Sequence, residues 1–336
     1  MAICRGTTLT RTTSTGASDM AVVRRNILSE AKARDDFVNG VLALKQEFLG
    51  PTTTDFGIPG AAQQVSTYDL FIAWHHLAMH RLTPPTQPDR NAAHSGPVFL
   101  PWHRFMLVLF ELQLQRVLHD ATAALPYWDW GADGDLPEAE QPTVPLFKET
   151  GIGGSGNPVA DGPFKSSVFR VRIESGANAA LRAVDHGLNR NLGADPHGPT
   201  LPTSADVKQA LGQDRYDESP WDRSTLLLRN RLEGWQPPGI RLHNRVHVWV
   251  GGDMAPASSP NDPVFYLNHC NVDRIWEGWM VEHGRTYEPP QTASDELQGH
   301  RIDDPMYSVL VNQDVTPAQV LDISSFYSYD AVPSSA

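Results

Sequence analysis

The chain has 336 residues, enough to bury a full-sized core, and its 40% hydrophobic and 20% charged shares suit an ordinary globular protein. A formal net charge of −12, with no basic cluster denser than Arg24-Arg25, argues against a nucleic-acid-binding face. No stretch approaches the roughly 18 consecutive apolar residues of a membrane span. Two cysteines, Cys4 and Cys270, make no disulfide framework.

Residues 1–19 are rich in Thr, Ser and Arg and lack an apolar h-region. They read as a flexible extension rather than a secretory signal peptide, and residues 20–336 as one domain. Residues 20–49 read as a helix with Phe37, Val38, Val41, Leu42 and Leu44 on one side. A polar loop over 50–64 follows. Residues 68–79 are helical again, with Leu70, Phe71 and Trp74 on one face, and stop before Pro84-Pro85, which open a loop to about residue 96. Residues 99–118 form the strongest helix, its apolar stripe marked by Phe105, Leu109, Leu112 and Leu118. Pro101 falls near its start, where a missing N–H costs nothing.

Residues 131–165 carry Gly, Pro and Asp every few positions and no period, which suits a cover over a site. Short helices are expected over 205–211, capped by Ser204, and over 221–233, begun by Ser219 or Pro220. A helix over 242–250 is cut by Gly251-Gly252, and 263–280 is the last long helix. The tail from 291 is loop-like, with an edge strand expected at Phe326-Tyr327-Ser328-Tyr329. Nine Trp and 27 Pro suit a helical core wrapped by long irregular loops. The fold class expected is mainly α, with few short strands.

Thirteen histidines draw attention to metal chemistry. His243 and His247 stand at i and i+4, so on a helix both rings leave one face and can reach one ion. A zinc-protease helix has that spacing too, but Asn244 stands where its catalytic glutamate would be. By itself the pair fits metal ligation and two ordinary helix histidines equally well. His269 lies one turn before Asp273, a carboxylate able to orient its ring. His75 sits on the 68–79 helix, His94 in the loop behind it, and His103 at the start of the longest helix.

Several segments resemble the tyrosinase family of type-3 copper proteins, in order and spacing, across roughly residues 68–280. They are the stretch from His94 to His103, Leu125-Pro126-Tyr127-Trp128-Asp129-Trp130, and the segments around His243 and His269. Glu233-Gly234-Trp235 and the 243–252 wording are similar to the actinobacterial members. The resemblance implies a four-helix-bundle core holding two copper ions. CuA would be held by His75, His94 and His103, and CuB by His243, His247 and His269. Three neutral imidazoles per ion suit copper by ligand softness. His76 is assigned either a supporting place behind the ligands or a structural part, and His80, His119, His186, His197, His283 and His300 none.

The same resemblance implies use of O2 to convert ortho-diphenols or ortho-aminophenols to ortho-quinones or quinone imines. Glu233 and Asn244 match the pair expected to hold a water that deprotonates a monophenol, which would add hydroxylation. Ala257 falls at the gate position over CuA, and Ala92 stands where plant and fungal members carry a cross-linked cysteine, so no thioether is expected. The chain departs from the family at Asn268, usually histidine, and at Cys270. These changes turn the reading toward the ortho-aminophenol oxidases of actinobacterial secondary metabolism. A haemocyanin-like oxygen carrier and a hydrolytic zinc enzyme are the alternatives. Relatives of this kind also imply a small copper-delivery helper, or caddie, protein. The chain is expected to be cytoplasmic as synthesised and exported, if at all, with that helper.

Overall fold

In the computed structural model, which describes residues 22–235 and 241–336, the chain begins with a short strand, β1 (Val23–Arg24), and continues into α1 (Ala31–Gln46). The extension expected over 1–19 lies outside the described residues. The helix expected from residue 20 begins only at Ala31, because Arg24 is fully buried and reaches the carboxylates of Glu111 and Asp273 from extended backbone. β2 (Phe48–Thr52) and β3 (Gln64–Ser66) pair antiparallel around the expected polar loop. α2 (Thr67–Met79) is capped by the Ser66 hydroxyl, which accepts from the Asp69 N–H. α3 (Phe99–Leu118) fills its expected span, with Pro101 in the first turn, where backbone N–H groups have no helical partner.

A brief α4 (Trp130–Gly134) and 3₁₀ turns at Gln141–Thr143 and Pro145–Phe147 are the regular pieces of the irregular 131–165 stretch. The antiparallel hairpin that follows, β4 (Arg170–Ser175) and β5 (Leu181–Gly187), was not expected. Its alternation is plain: Val171 and Ile173 are buried while Arg172 faces solvent. α5 (Ser204–Leu211) is capped by Thr203, with Asp206 closing the capping box; Ser204 is instead the first helical residue. α6 (Leu228–Glu233) takes only the end of the expected 221–233 helix. The Asp222 carbonyl accepts from the side chains of Arg229 and Asn230, which holds the preceding residues in a loop.

α7 (Leu242–Val250) ends at Gly251, whose φ of +63° a side chain would strain. α8 (Val264–His283) starts where an Asp262 carboxylate oxygen accepts from the Val264 N–H, and runs past Met280. After α9 (Pro317–Val320), β6 (Ser328–Tyr329) lies parallel to β1, with Val23 opposite Ser328 and Arg24 opposite Tyr329. The edge strand expected there is present.

The fold is mainly helical, and α2, α3, α7 and α8 form its centre. Trp74 on α2 packs edge-on against Trp102 and Phe105 of α3, with ring centroids 5.0 and 5.3 Å apart. Phe110 of α3 stacks on Tyr266 of α8 at 3.6 Å. Such aromatic pairs contribute about 1 kcal/mol each beyond area burial, and they fix how α2, α3 and α8 face one another. No described helix is long and apolar enough to cross a membrane.

Candidate metal centre

Two groups of three histidines meet at the middle of these four helices. His75 on α2, His103 on α3 and His94 on the loop between them have ring centroids 4.7–5.7 Å apart. His243 and His247 on α7 and His269 on α8 have theirs 4.4–5.6 Å apart. The groups adjoin: the His103 and His269 rings stack at 4.2 Å, and His94 lies 6.0 Å from His243.

Backbone carbonyls fix the rings. His75 Nδ1 donates to the Ala257 oxygen at 2.7 Å, His103 Nδ1 to Phe99 at 2.8 Å, and His247 Nδ1 to Met254 at 2.8 Å. His243 Nδ1 lies 3.2 Å from the Glu233 carbonyl oxygen and 3.0 Å from Asn244 Oδ1. A carbonyl can only accept, so the proton stays on Nδ1 and the Nε2 lone pair points inward. The Nε2 atoms of His75 and His103 are buried without any partner. His243 Nε2 lies 2.9 Å from His247 Nε2 and 3.0 Å from His269 Nε2. Facing lone pairs at that distance repel, whereas three nitrogens bound about 2 Å from one ion lie about 3 Å apart. The donor set fits a cation in each group.

Burial holds every ring neutral, which is the ligating form. It pushes His75 down to about 3 and His247 to about 4, against the raising effect of the carbonyl each ring donates to. His94, His103, His243 and His269 are held well below the ordinary histidine range, by burial first and then by one another.

Around the rings, the expected residues take varied places. Glu233 is fully buried; one carboxylate oxygen accepts from the Ser95 N–H at 2.7 Å and the other from Arg229 at 3.2 Å. Burial raises its pKa and Arg229 opposes the rise. Ser95, directly after His94, has φ +63°, a conformation that costs a non-glycine residue of order 1 kcal/mol or more. Glu233 thus braces the loop that presents His94. Asn244 keeps its side-chain Nδ2 buried and unpartnered, and Asn268 keeps both amide atoms so. Ala257 contributes its carbonyl to His75.

Asp273 does not orient His269. Its carboxylate accepts from Arg104, Arg24, Tyr327 and Tyr329, while His269 Nδ1 has no partner. Asp273 is held below the usual carboxylate range because Arg104 and Arg24 outweigh the effect of burial. The Arg104–Asp273 pair instead clamps α3 to α8 directly behind the stacked His103 and His269. The Cys270 thiol points away from the rings, toward the Leu125 carbonyl oxygen and the Tyr329 hydroxyl, and burial pushes it up to about 12. It stays a protonated, packed thiol. Of the two parts expected for His76 it takes the structural one: its ring bridges Ser175 Oγ and the Ala179 oxygen, tying α2 to the hairpin.

One further cluster escaped the sequence reading. Glu174, His186 and Asp253 bring ligand atoms within 4.8 Å of one another. Both His186 nitrogens are already used, by the Gly187 oxygen and Glu174, and the Asp253 carboxylate accepts from the Asn189 N–H, so the group is engaged in hydrogen bonds of its own.

A pocket of about 270 Å³ opens onto both histidine groups, reached by His75, His94, His243 and His247. Arg223, Ser95 and Trp235 also line it. Ser95 and Trp235 fall inside the motifs noted in the sequence, but no periodicity or motif gave any of the three a part in the site, since they come from loops. Two adjoining clusters of three neutral histidines on four helices, open to one small pocket, define a dinuclear metal centre of the type-3 copper kind.

The comparisons agree. Residues 65–282 match the common central domain of tyrosinase. The tyrosinase of Streptomyces glaucescens is 39% identical over 272 residues, which cover 78% of this chain and 88% of that one. Grixazone synthase of Streptomyces griseus is 32% identical over 337 residues, 93% of this chain and 100% of its own length. A solved polyphenol oxidase variant from Thermothelomyces thermophila shares the fold with a TM-score of 0.70 at 21% identity, covering 93% of this chain and 89% of that one. The chain belongs to the tyrosinase family and is a type-3 copper oxidoreductase with a dinuclear copper cofactor.

Proposed function

We propose that this protein uses O2 to oxidise ortho-diphenols and ortho-aminophenols to ortho-quinones and quinone imines. In this reading His75, His94 and His103 hold CuA, and His243, His247 and His269 hold CuB. The observation that carries it is the set of six buried, neutral imidazoles directed at two adjacent points beneath a pocket sized for one aromatic ring. When bound, copper supplies the electron transfer between ring and O2. The chain's own residues do the rest. Carbonyls of Ala257, Phe99 and Met254 keep the Nδ1 protons in place, helices fix the directions of five ligands, and the pocket admits a flat ring edge-first.

Glu233 and Asn244 were matched to a water-holding pair for monophenols. Each Glu233 oxygen accepts one donor, from Ser95 and Arg229, and a carboxylate keeps further lone pairs free for a water, so monophenol hydroxylation stays a second activity within this proposal. The match along the whole of grixazone synthase, an aminophenol-oxidising enzyme, supports the aminophenol arm. Ala257 as a small gate residue, a copper-delivery helper, and export with that helper belong to the same proposal.

The test is O2 uptake by the copper-loaded protein with catechol, 2-aminophenol, 3-amino-4-hydroxybenzoate, DOPA and tyrosine. Prompt uptake with the ortho-disubstituted rings is expected, and none without a lag on tyrosine. A protein carrying two copper ions that consumes no O2 with any ortho-disubstituted ring would sink the reading.

A further inference from the structure

We propose that Arg223 makes the pocket selective for ring substrates that carry a carboxylate, an inference that rests on the oxidase reading above and names its substrate class. Apart from the neutral histidines, the pocket is lined by uncharged side chains such as Met79, Asn91, Trp235 and Val248; among the described residues Arg223 is its one permanent charge. The guanidinium is held in place. Its Nε donates to Ser95 Oγ at 3.0 Å, and its carbon lies 4.1 Å from the Trp235 ring centroid, over the indole face. Stacking of this kind pre-organises a guanidinium.

What is left over is the pair of terminal Nη groups. Among the described residues no carboxylate pairs with Arg223, although the chain as a whole carries an acidic excess. Its neighbour Arg229, by contrast, is buried against Asp217 and Glu233. Arg223 stands exposed at the pocket mouth, next to the residue that follows His94. A ring seated with its oxygen toward the histidines would present its far end there. A carboxylate attached directly to the ring, or through one or two methylenes, can then accept both Nη donors in the fork geometry that arginine favours. Hydrogen bonds to a charged partner of this kind alter affinity by about tenfold to a hundredfold.

Two measurements test this. The first needs no turnover: benzoate and benzamide are titrated calorimetrically into the copper-loaded protein and its Arg223→Gln variant. Benzoate is expected to bind the native protein at least tenfold more tightly than benzamide, and the variant to lose that preference. Equal binding of the two ligands by the native protein overturns the proposal. The second compares 3,4-dihydroxybenzoate with 3,4-dihydroxybenzamide. The ratio of kcat/KM values should fall at least tenfold in Arg223→Gln, chiefly through KM, and recover partly in Arg223→Lys. A loss shared equally by both substrates would mean that Arg223 merely steadies Ser95, and the proposal fails. If neither ring is oxidised, the oxidase reading fails, while the benzoate titration still decides the role of Arg223.

Discussion

All three histidines of the second group come from helices, His243 and His247 one turn apart on α7 and His269 on α8, whereas the first group draws His94 from the loop between α2 and α3. Their supports differ in the same way. His243 and His247 donate to carbonyls of Glu233 and Met254, ten and seven residues away. His75 donates to Ala257, 182 residues away, and the strained Ser95 beside His94 is held by Glu233, 138 residues away. The second site is thus nearly complete within its own stretch of chain. The first depends on braces that the second half of the chain supplies.

That asymmetry can be broken or sharpened by substitution. The largest effect is expected for His94→Ala and His243→Ala. Each should lower bound copper from two ions to one per chain and cut catechol oxidation by about a thousandfold or more, since neither ion acts alone. Metal analysis with O2 uptake checks this; a His94→Ala protein that keeps both ions would remove His94 from the site. Next comes Arg104→Met, which leaves Asp273 and Glu277 short of a buried cation. A loss of about 3–5 kcal/mol is expected in denaturant unfolding, and an unchanged midpoint would show that Arg24 alone suffices behind α8.

A smaller effect should follow Glu233→Gln, which weakens the acceptor for Ser95 and removes the charge facing Arg229. We expect a cost of about 1–3 kcal/mol, with copper lost from the loop-bearing site before the helical one during chelator titration. Equal loss from both would erase the distinction drawn between the two groups. Smallest of all is Cys270→Ala. The thiol packs away from the rings, so both ions should stay and stability should fall by about 1 kcal/mol. A marked change in copper content would place the sulfur nearer the metals than its contacts with Leu125 and Tyr329 allow.

Much of this was open to reading in the residues themselves. The limits of α3 and α7 follow from Pro101 at one start and Gly251 at one end, local signals that tertiary contacts do not override. The i, i+4 spacing of His243 and His247 survives because a helix converts spacing directly into a shared face. The β4–β5 hairpin was missed although Val171 and Ile173 alternate with Arg172, since the signal is brief and lies behind a long aperiodic stretch. α6 came out shorter than its pattern because Asp222 turns its carbonyl toward two buried side chains, which no local rule anticipates. Asp273 was misjudged for a similar reason. Proximity to His269 along the helix was visible, but its partners Arg24 and Tyr329 lie 249 and 56 residues away. Arg223 and Ser95 could not be ranked, because loop residues reach a pocket through backbone geometry rather than through any period.

The pairing of β1 with β6 has a consequence for biosynthesis. Arg24 cannot complete its buried surroundings until Tyr327 and Tyr329 have been made, the latter 305 residues further along the chain. The wall behind α8 therefore closes only after residues 327–329 have been made.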